Sequence, residues 1–280
     1  MFHQVNHSML KQGLVICLFV SVLLICPSGA QNNMLQLEAR QQTGNDGDFQ
    51  ESTTQVSLKP QETAIIVCDM WDQHWCQTAT ARVKAMSPEM NEVLKRARKR
   101  GITIIHAPSS TMAYYMDFPQ RKKLINAPHD ASSDVIEDWY ALDPDQEGPL
   151  PVDDSDGGCD DPNSDCVNCA VWKKQIDLLE IEEADGISDD GKEINNYFHS
   201  LGIKNVLLMG VHTNMCVLGR PFGIRSHIAQ GRKVLLVRDL TDAMYNPKMP
   251  PYVTHQKGTD LIINHIEKYW CPTITSDQIK

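Results

Sequence analysis

Short apolar runs that alternate with helical segments constrain the fold of this chain more than any other feature. The runs cover residues 64–68, 102–105, 205–209 and 233–237, and apart from Thr103, Asn205 and Lys233 they are hydrophobic throughout, as is typical of strands buried on both faces of a parallel sheet. The helical segments end at or near a glycine in most cases and cover residues 87–101, 191–200, 214–230 and 259–270. This alternation predicts an α/β fold: a doubly wound, Rossmann-like parallel sheet with helices on both faces in a single domain.

The N-terminus has the pattern of a signal peptide. Lys11 precedes an apolar run of 14 residues from Gly13 to Cys26, and the small residues Ser28 and Ala30 suit cleavage before Gln31. A helix that crosses a bilayer needs roughly 20 apolar residues. We therefore expect residues 1–30 to be a signal peptide that directs the protein to the periplasm or the exterior, with an uncleaved membrane anchor as the alternative.

The rest of the chain divides into a polar segment and a domain. Residues 31–59 are rich in Gln, Asn, Asp, Ser and Thr, which predicts a flexible linker because such a segment buries too little apolar surface. Residues 60–280 form the predicted domain. Within it, residues from about 107 to 174 break the alternation and are rich in Pro, Asp, Gly and Ser, so we expect an insertion over the strand ends.

Charge limits the partners that this chain can bind. The formal net charge is -10 at pH 7, which disfavours nucleic acid and anionic membrane surfaces. We expect a small-molecule substrate, no nucleic-acid partner, no membrane association after signal cleavage, and a homo-oligomer.

The cysteines indicate disulfides and at least one free thiol. Nine cysteines become seven when residues 1–30 are removed, and an odd number cannot all pair. Cys159, Cys166 and Cys169 lack a fourth nearby zinc ligand, so disulfides are favoured over a zinc knuckle. Asp72 and His74 are only two adjacent ligands, and we predict neither a metal nor a cofactor.

Cys216 is the strongest candidate for chemistry. It lies in the segment 210–217 (GVHTNMCV), where a strand turns into a helix. A thiol in the first turn of a helix is stabilised as thiolate by the helix dipole, and the unpaired N–H groups there can bind an oxyanion. Asp69 follows the first core strand and can act as a base for this thiol. The alternatives are a small buried cysteine and an aspartate that caps a loop.

Three segments carry a family resemblance, namely 64–72 (AIIVCDMWD), 101–106 (GITIIH) and 205–217 (NVLLMGVHTNMCV). They resemble the isochorismatase-like cysteine hydrolases, which include nicotinamidases and N-carbamoylsarcosine amidases. The resemblance implies a doubly wound sheet and a triad of Asp, Lys and Cys in that chain order. It also implies a covalent intermediate between the cysteine and a small amide or related substrate.

Carried over by position, the resemblance makes Asp69 the general base and Cys216 the nucleophile. His212 and Cys216 would form the oxyanion hole, with a cis peptide between Val211 and His212. The family lysine has no clear counterpart in residues 184–194, where Ser188 or Asp189 stands at about its position. The candidates for the third member are Lys173, Lys174 and Lys192, and His212 or Arg220 can compensate for its loss. The substrate pocket is predicted to include Trp71, His106, Asn214 and Arg220.

Three functions compete on this basis. The first is an exported cysteine hydrolase that acts on a small amide, carbamoyl or related C–N substrate through Cys216. The second is a non-catalytic relative that keeps the pocket for ligand binding or assembly after losing the lysine. The third, a disulfide-exchange protein, ranks last because Cys216 has no Cys-x-x-Cys partner at its helix.

Overall fold

The computed structural model describes Met1 and residues 34–45, 48–164, 166 and 169–280. The predicted signal peptide, apart from Met1, lies outside the described residues. In the part of the chain that is described, no helix has the length and apolar character needed to cross a membrane.

Eight strands form one sheet in the order β2-β1-β8-β7-β6-β3-β4-β5. The strands are β1 (Leu35–Asn45), β2 (Asp48–Leu58), β3 (Thr63–Cys68), β4 (Thr103–Ala107), β5 (Gly186–Ile187), β6 (Asn205–Val211), β7 (Lys233–Asp242) and β8 (Thr273–Ile274). The helices are α1 (Gln77–Arg100), α2 (Met112–Tyr115), α3 (Pro119–Ile125), α4 (Gly191–Leu201), α5 (Cys216–Gly219), α6 (Ile224–Ala229) and α7 (His255–Tyr269). Strands β3 to β8 pair in parallel, and β1 joins them antiparallel.

The core has two layers, one on each face of the sheet. Along β3, Ile66 and Cys68 belong to the layer that contains Phe198 of α4, whereas Ile65 belongs to the layer that contains Leu94 of α1. Every residue of β3 is buried, which explains its continuously apolar sequence. The predicted doubly wound α/β fold is therefore confirmed.

The direction of winding reverses between β3 and β6. From β3 the chain proceeds outward to β4 and β5, and from β6 it proceeds outward on the other side to β7 and β8. Open α/β sheets bind ligands outside the carboxyl ends of the strands at such a reversal, which here lies between β3 and β6. Asp69 follows β3 directly, and the segment that leads to Cys216 follows β6.

The predicted flexible linker is wrong for residues 35–45 and 48–58, which form the hairpin of β1 and β2. Leu35, Leu37 and Ala39 are at most 1% exposed, because they point in alternation into the core. This period of two is the signature of a half-buried strand. The polar residues between them lower the average hydrophobicity of the segment, and this concealed the alternating pattern.

Two predicted helices differ from the observed ones. Helix α1 begins at Gln77 rather than at Ser87, and Pro88 lies inside it. The Ser87 hydroxyl donates to the Val83 carbonyl at 2.7 Å, so Ser87 bonds within the helix instead of capping it. The predicted helix 214–230 is divided into α5 and α6, because Pro221 disfavours the helical conformation of the residue before it.

The insertion is attached to the domain by covalent and ionic contacts. Cys159 forms a disulfide with Cys76, and Cys166 forms one with Cys169, which confirms the predicted disulfides. Glu147, a buried residue of the insertion, forms an ion pair with Arg225 at 2.6 Å. Cys68, Cys216 and Cys271 are the free cysteines among the described residues.

Candidate active site

Asp69 stands at the carboxyl end of β3 with its side chain fully buried. Its Oδ1 accepts a hydrogen bond from the Ser109 N–H at 2.7 Å, which orients the carboxylate. Its Oδ2 lies 3.5 Å from Nε of Arg220 and beside the thiol of Cys216. The structure therefore brings together a carboxylate, a thiol and a guanidinium at the point where the winding of the sheet reverses.

Arg220 reaches this site because helix α5 is short. Pro221 holds Arg220 in an extended conformation, with φ -61° and ψ 155°, immediately after α5. The guanidinium lies 5.7 Å from the centre of the Trp139 ring, which is contributed by the insertion. Such a cation–π contact helps to hold the Arg220 side chain beside Asp69.

Asp69, Cys216 and Arg220 each shift the pKa values of the other two. Burial raises the pKa of the Cys216 thiol, and the negative charge of Asp69 raises it further, while Arg220 lowers it. Burial likewise raises the pKa of Asp69, against the effect of Arg220. Burial thus favours the thiol over the thiolate, and the carboxyl group of Asp69 lies adjacent to this thiol.

The turn after β6 has the geometry implied by the family resemblance. The peptide bond between Val211 and His212 is cis, as predicted. The His212 carbonyl accepts hydrogen bonds from the N–H groups of Met215 at 3.0 Å and Val217 at 3.1 Å. Gly210 has φ 112°, and a Cβ atom there would lie 2.1 Å from the Cys68 carbonyl oxygen. Only glycine allows β6 to approach β3 this closely.

His212 is buried beside a group of stacked aromatic rings. Neither of its ring nitrogens has a hydrogen-bond partner among the described residues, and burial lowers its pKa to about 4. The His74 ring meets it edge-on at 5.1 Å and stacks on Trp172, which in turn stacks on Trp71 at 4.4 Å. We name Trp71, His74 and Trp172 the aromatic layer.

The aromatic layer connects with the Asp69 carboxylate. Trp71 donates from Nε1 to the Ser109 carbonyl at 3.0 Å, and the Ser109 N–H binds Asp69. Four buried polar atoms of these neighbouring residues lack hydrogen-bond partners within the described part of the chain: Ser109 Oγ, Trp172 Nε1 and both ring nitrogens of His212. A buried group without a partner costs about 1–3 kcal/mol. A small polar ligand that entered this region would meet donors and acceptors without partners.

Two residues predicted for the substrate pocket are engaged elsewhere. His106 is fully buried, with Nδ1 at 2.9 Å from Gln175 and Nε2 at 3.1 Å from Asp185. The amide of Asn214 bonds to Asp154 and to both backbone groups of Met244. Both side chains therefore hold segments together, and the prediction that they line the pocket is not supported by these contacts.

The three lysines suggested for the triad do not meet Cys216. Lys174 forms an ion pair with Asp177 at 2.6 Å, and Lys173 is exposed. Lys192 is also exposed, although it shares a surface cavity of about 330 Å³ with Arg220. At the position where the resemblance expects lysine, Ser188 binds Glu193, and Asp189 accepts the Ser110 N–H at 2.7 Å. The cation at the thiol is contributed by Arg220 instead.

Several site residues were missed by sequence reasoning. Ser109, Trp139, Trp172 and His74 all contact the residues described above. Trp139 and Trp172 lie in the insertion, where no periodicity assigns them to a face. Across the described ranges, no group of three or more His, Cys, Asp or Glu side chains has a geometry that could hold a metal ion.

The sequence matches no known family model and no curated protein. Solved structures similar to the chain include a cysteine hydrolase from Pseudomonas syringae pv. phaseolicola 1448A, at 16% identity over 79% of this chain and 92% of that one, with a TM-score of 0.49. An isochorismatase-like hydrolase from Alkaliphilus metalliredigens has 16% identity, 78% and 93% coverage, and a TM-score of 0.44. An isochorismatase from Pseudomonas putida KT2440 has 14% identity, 79% and 91% coverage, and a TM-score of 0.47.

Proposed function

We propose that this protein is an isochorismatase-like cysteine hydrolase that cleaves a small amide, carbamoyl or related C–N substrate through a covalent Cys216 intermediate. The observation that carries this proposal is the contact of Asp69, Cys216 and Arg220 at the carboxyl ends of β3 and β6. These three groups supply a base, a nucleophile and a positive charge within reach of one substrate.

Asp69 activates the thiol in the proposed reaction. It removes the proton from Cys216 as the sulfur attacks the substrate carbonyl carbon. Negative charge then moves from the Asp69 carboxylate to the sulfur and on to the carbonyl oxygen. Arg220 lies beside both Asp69 and Cys216, so the guanidinium stabilises the charge before and during this transfer.

The tetrahedral intermediate then collapses to a thioester. The backbone N–H groups of His212 and Cys216 are proposed to bind its oxyanion, because they belong to the tight turn and the first turn of α5. Asp69 returns the proton to the leaving nitrogen, and the amine departs. Water attacks the thioester with Asp69 again as base, which releases the acid and restores the thiol.

A second candidate function is ligand binding without turnover. It is favoured by burial: Cys216 is only 8% exposed, Asp69 is fully buried, and the pKa of the thiol is raised. In this case the unpartnered polar atoms would hold a small molecule that is not cleaved. Both functions predict binding, and only the first predicts a covalent adduct and release of an amine.

We also propose that the protein is exported. The Cys76–Cys159 disulfide supports this, because disulfides persist mainly in oxidising compartments. A fusion of residues 1–30 to a reporter that is active only outside the cytoplasm tests it. A reporter that stays inactive would contradict export.

The proposed function is tested by a substrate panel. Purified protein is incubated with small primary amides, carbamoyl compounds and ureides, and amine or ammonia release is measured. The Cys216→Ala variant is the matched control, and ligand-induced thermal shifts are recorded for both proteins. Release that needs Cys216 supports hydrolysis. Thermal shifts that are equal in both proteins, with no release from any compound, would overturn hydrolysis and favour ligand binding.

A further inference from the structure

The two edges of the sheet are protected to very different degrees. In the described part of the chain, the sheet ends at β5 on one side and at β2 on the other. Strand β5 has 2 residues, whereas β2 has 11. A long edge strand presents a row of unpaired backbone N–H and C=O groups that can pair with another strand. Strand β2 is therefore the place where this fold most readily accepts a partner.

Hydrogen bonds identify which backbone groups of β2 face outward. The Glu38 N–H donates to Gln278 at 2.6 Å, and Gln278 donates to the Glu38 carbonyl at 3.2 Å, so the backbone of Glu38 faces away from β2. Glu38 is opposite Gln55 in the hairpin. In an antiparallel pair the two opposed residues either both face each other or both face away. The backbone groups of Gln55 therefore face the free edge.

The same alternation assigns the neighbouring residues of β2. Successive residues of a strand direct their backbone groups to opposite sides, so Thr54 faces β1, where it is opposite Ala39. Thr53 and Glu51 face the free edge together with Gln55. Both threonines are exposed in side chain, and they differ in the direction of their backbone groups.

Strand β2 also lacks the residues that normally prevent edge pairing. Its sequence, DFQESTTQVSL, contains no Lys, Arg or Pro, and its charged residues are Asp48 and Glu51. Natural edge strands are commonly protected by lysine, proline, a bulge or short length. The hairpin register of β1 and β2 runs without a shift from residue 35 to residue 58, so no bulge interrupts the edge.

We propose that two copies of this chain pair antiparallel through β2, with the two-fold axis at Thr53. This register places Glu51 opposite Gln55 and Asp48 opposite Leu58, so no two acidic residues face each other. The outward-facing residues from Phe49 to Ser57 then form about ten backbone hydrogen bonds across the axis. A closed two-fold contact of this kind is self-complementary and ends at the dimer. It joins the two sheets into one and does not depend on the proposed catalytic function.

Analytical ultracentrifugation of the purified protein tests this interface with two matched variants. Thr53→Pro removes an N–H group from the free edge, and we expect the dissociation constant of the dimer to rise at least tenfold. Thr54→Pro removes an N–H group that pairs with Ala39, so it should lower the melting temperature more than Thr53→Pro does. If the wild-type protein stays monomeric at high micromolar concentration, β2 does not pair with a second copy, and the proposal is overturned.

Cysteine crosslinking gives a second measurement that does not depend on proline. A two-fold axis at Thr53 brings only this residue opposite its own copy. Under mild oxidation, a Thr53→Cys variant should form a crosslinked dimer much faster than a Ser57→Cys variant, whose partner position is Phe49. Equal crosslinking of the two variants, or a dimer that Thr53→Pro leaves unchanged, would contradict this pairing.

Discussion

His106 and His212 are both buried near the carboxyl ends of β4 and β6, the strands on either side of β3, yet their surroundings are opposite. Both ring nitrogens of His106 have partners, Gln175 on one side and Asp185 on the other. Neither ring nitrogen of His212 has a partner among the described residues. Asp185 is further tied to Arg98 by an ion pair of 2.6 Å. The polar side-chain atoms of His106, Gln175 and Asp185 all have partners, whereas the ring nitrogens of His212 have none within the described ranges.

This difference separates residues that hold the fold from residues that the proposed function uses. A buried network in which every atom has a partner contributes to stability and fixes segments in place. Unpartnered buried groups are costly to the fold and are typical of sites where a ligand completes the hydrogen bonds. Stability should therefore depend on the His106 cluster, and activity on Cys216 and its neighbours.

The largest expected effect is on turnover. Cys216→Ala removes the proposed nucleophile, and turnover should fall by roughly a thousandfold or more. Stability should change by no more than about 1–2 kcal/mol, because the thiol is small and its mutation leaves no charge unpaired in the resting cluster. Steady-state kinetics and urea unfolding measure the two effects. Turnover that persists in this variant would show that Cys216 is not the nucleophile.

A large effect on stability is expected from the other cluster. His106→Ala removes the hydrogen-bond partner of Gln175 Oε1 and one of the partners of Asp185 Oδ2, and the free energy of unfolding should fall by about 2–4 kcal/mol. The same change at His212 should cost less, since no hydrogen bond is lost. Paired urea titrations of the two variants measure this. If His212→Ala is the more destabilising, the comparison of the two clusters is wrong.

The charge of Arg220 is expected to have an intermediate effect. Arg220→Gln keeps a polar side chain but removes the positive charge beside Asp69 and Cys216, so turnover should fall by about a hundredfold. Arg220→Lys restores a charge without the guanidinium and should recover part of the loss. Turnover of both variants at saturating substrate is the measurement. Equal losses would show that geometry rather than charge is required.

The smallest effect concerns the pH dependence of stability. The pKa of His212 is lowered to about 4 from 6.5, so between these values the unfolded chain binds a proton that the folded chain does not. Stability should therefore rise with pH across this window, and His212→Ala should remove about one proton of that dependence. His74, with its pKa lowered to about 3, should retain a similar contribution. Unfolding free energies between pH 4 and 7 test this, and an unchanged slope would contradict it.

Most of the fold was predictable from the sequence, and the arrangement of the site was predictable only in part. The apolar runs before Asp69 and before the Cys216 turn identified two parallel strands, and parallel strands bring their carboxyl ends together. The partners of His106 were not predictable, because Gln175 and Asp185 are 69 and 79 residues away in sequence. The position of Arg220 depended on Pro221, which the helical pattern of 214–230 concealed.

Trapping of the acyl intermediate tests the central claim most directly. The protein is mixed with a small activated carbonyl compound, quenched in acid within milliseconds to seconds, and digested for peptide mass spectrometry. We predict an acyl adduct on Cys216 and not on Cys68 or Cys271, which forms at least a hundredfold more slowly in Asp69→Asn. An adduct that is absent from Cys216, or that forms equally on Cys216, Cys68 and Cys271, would contradict a hydrolase mechanism through Cys216.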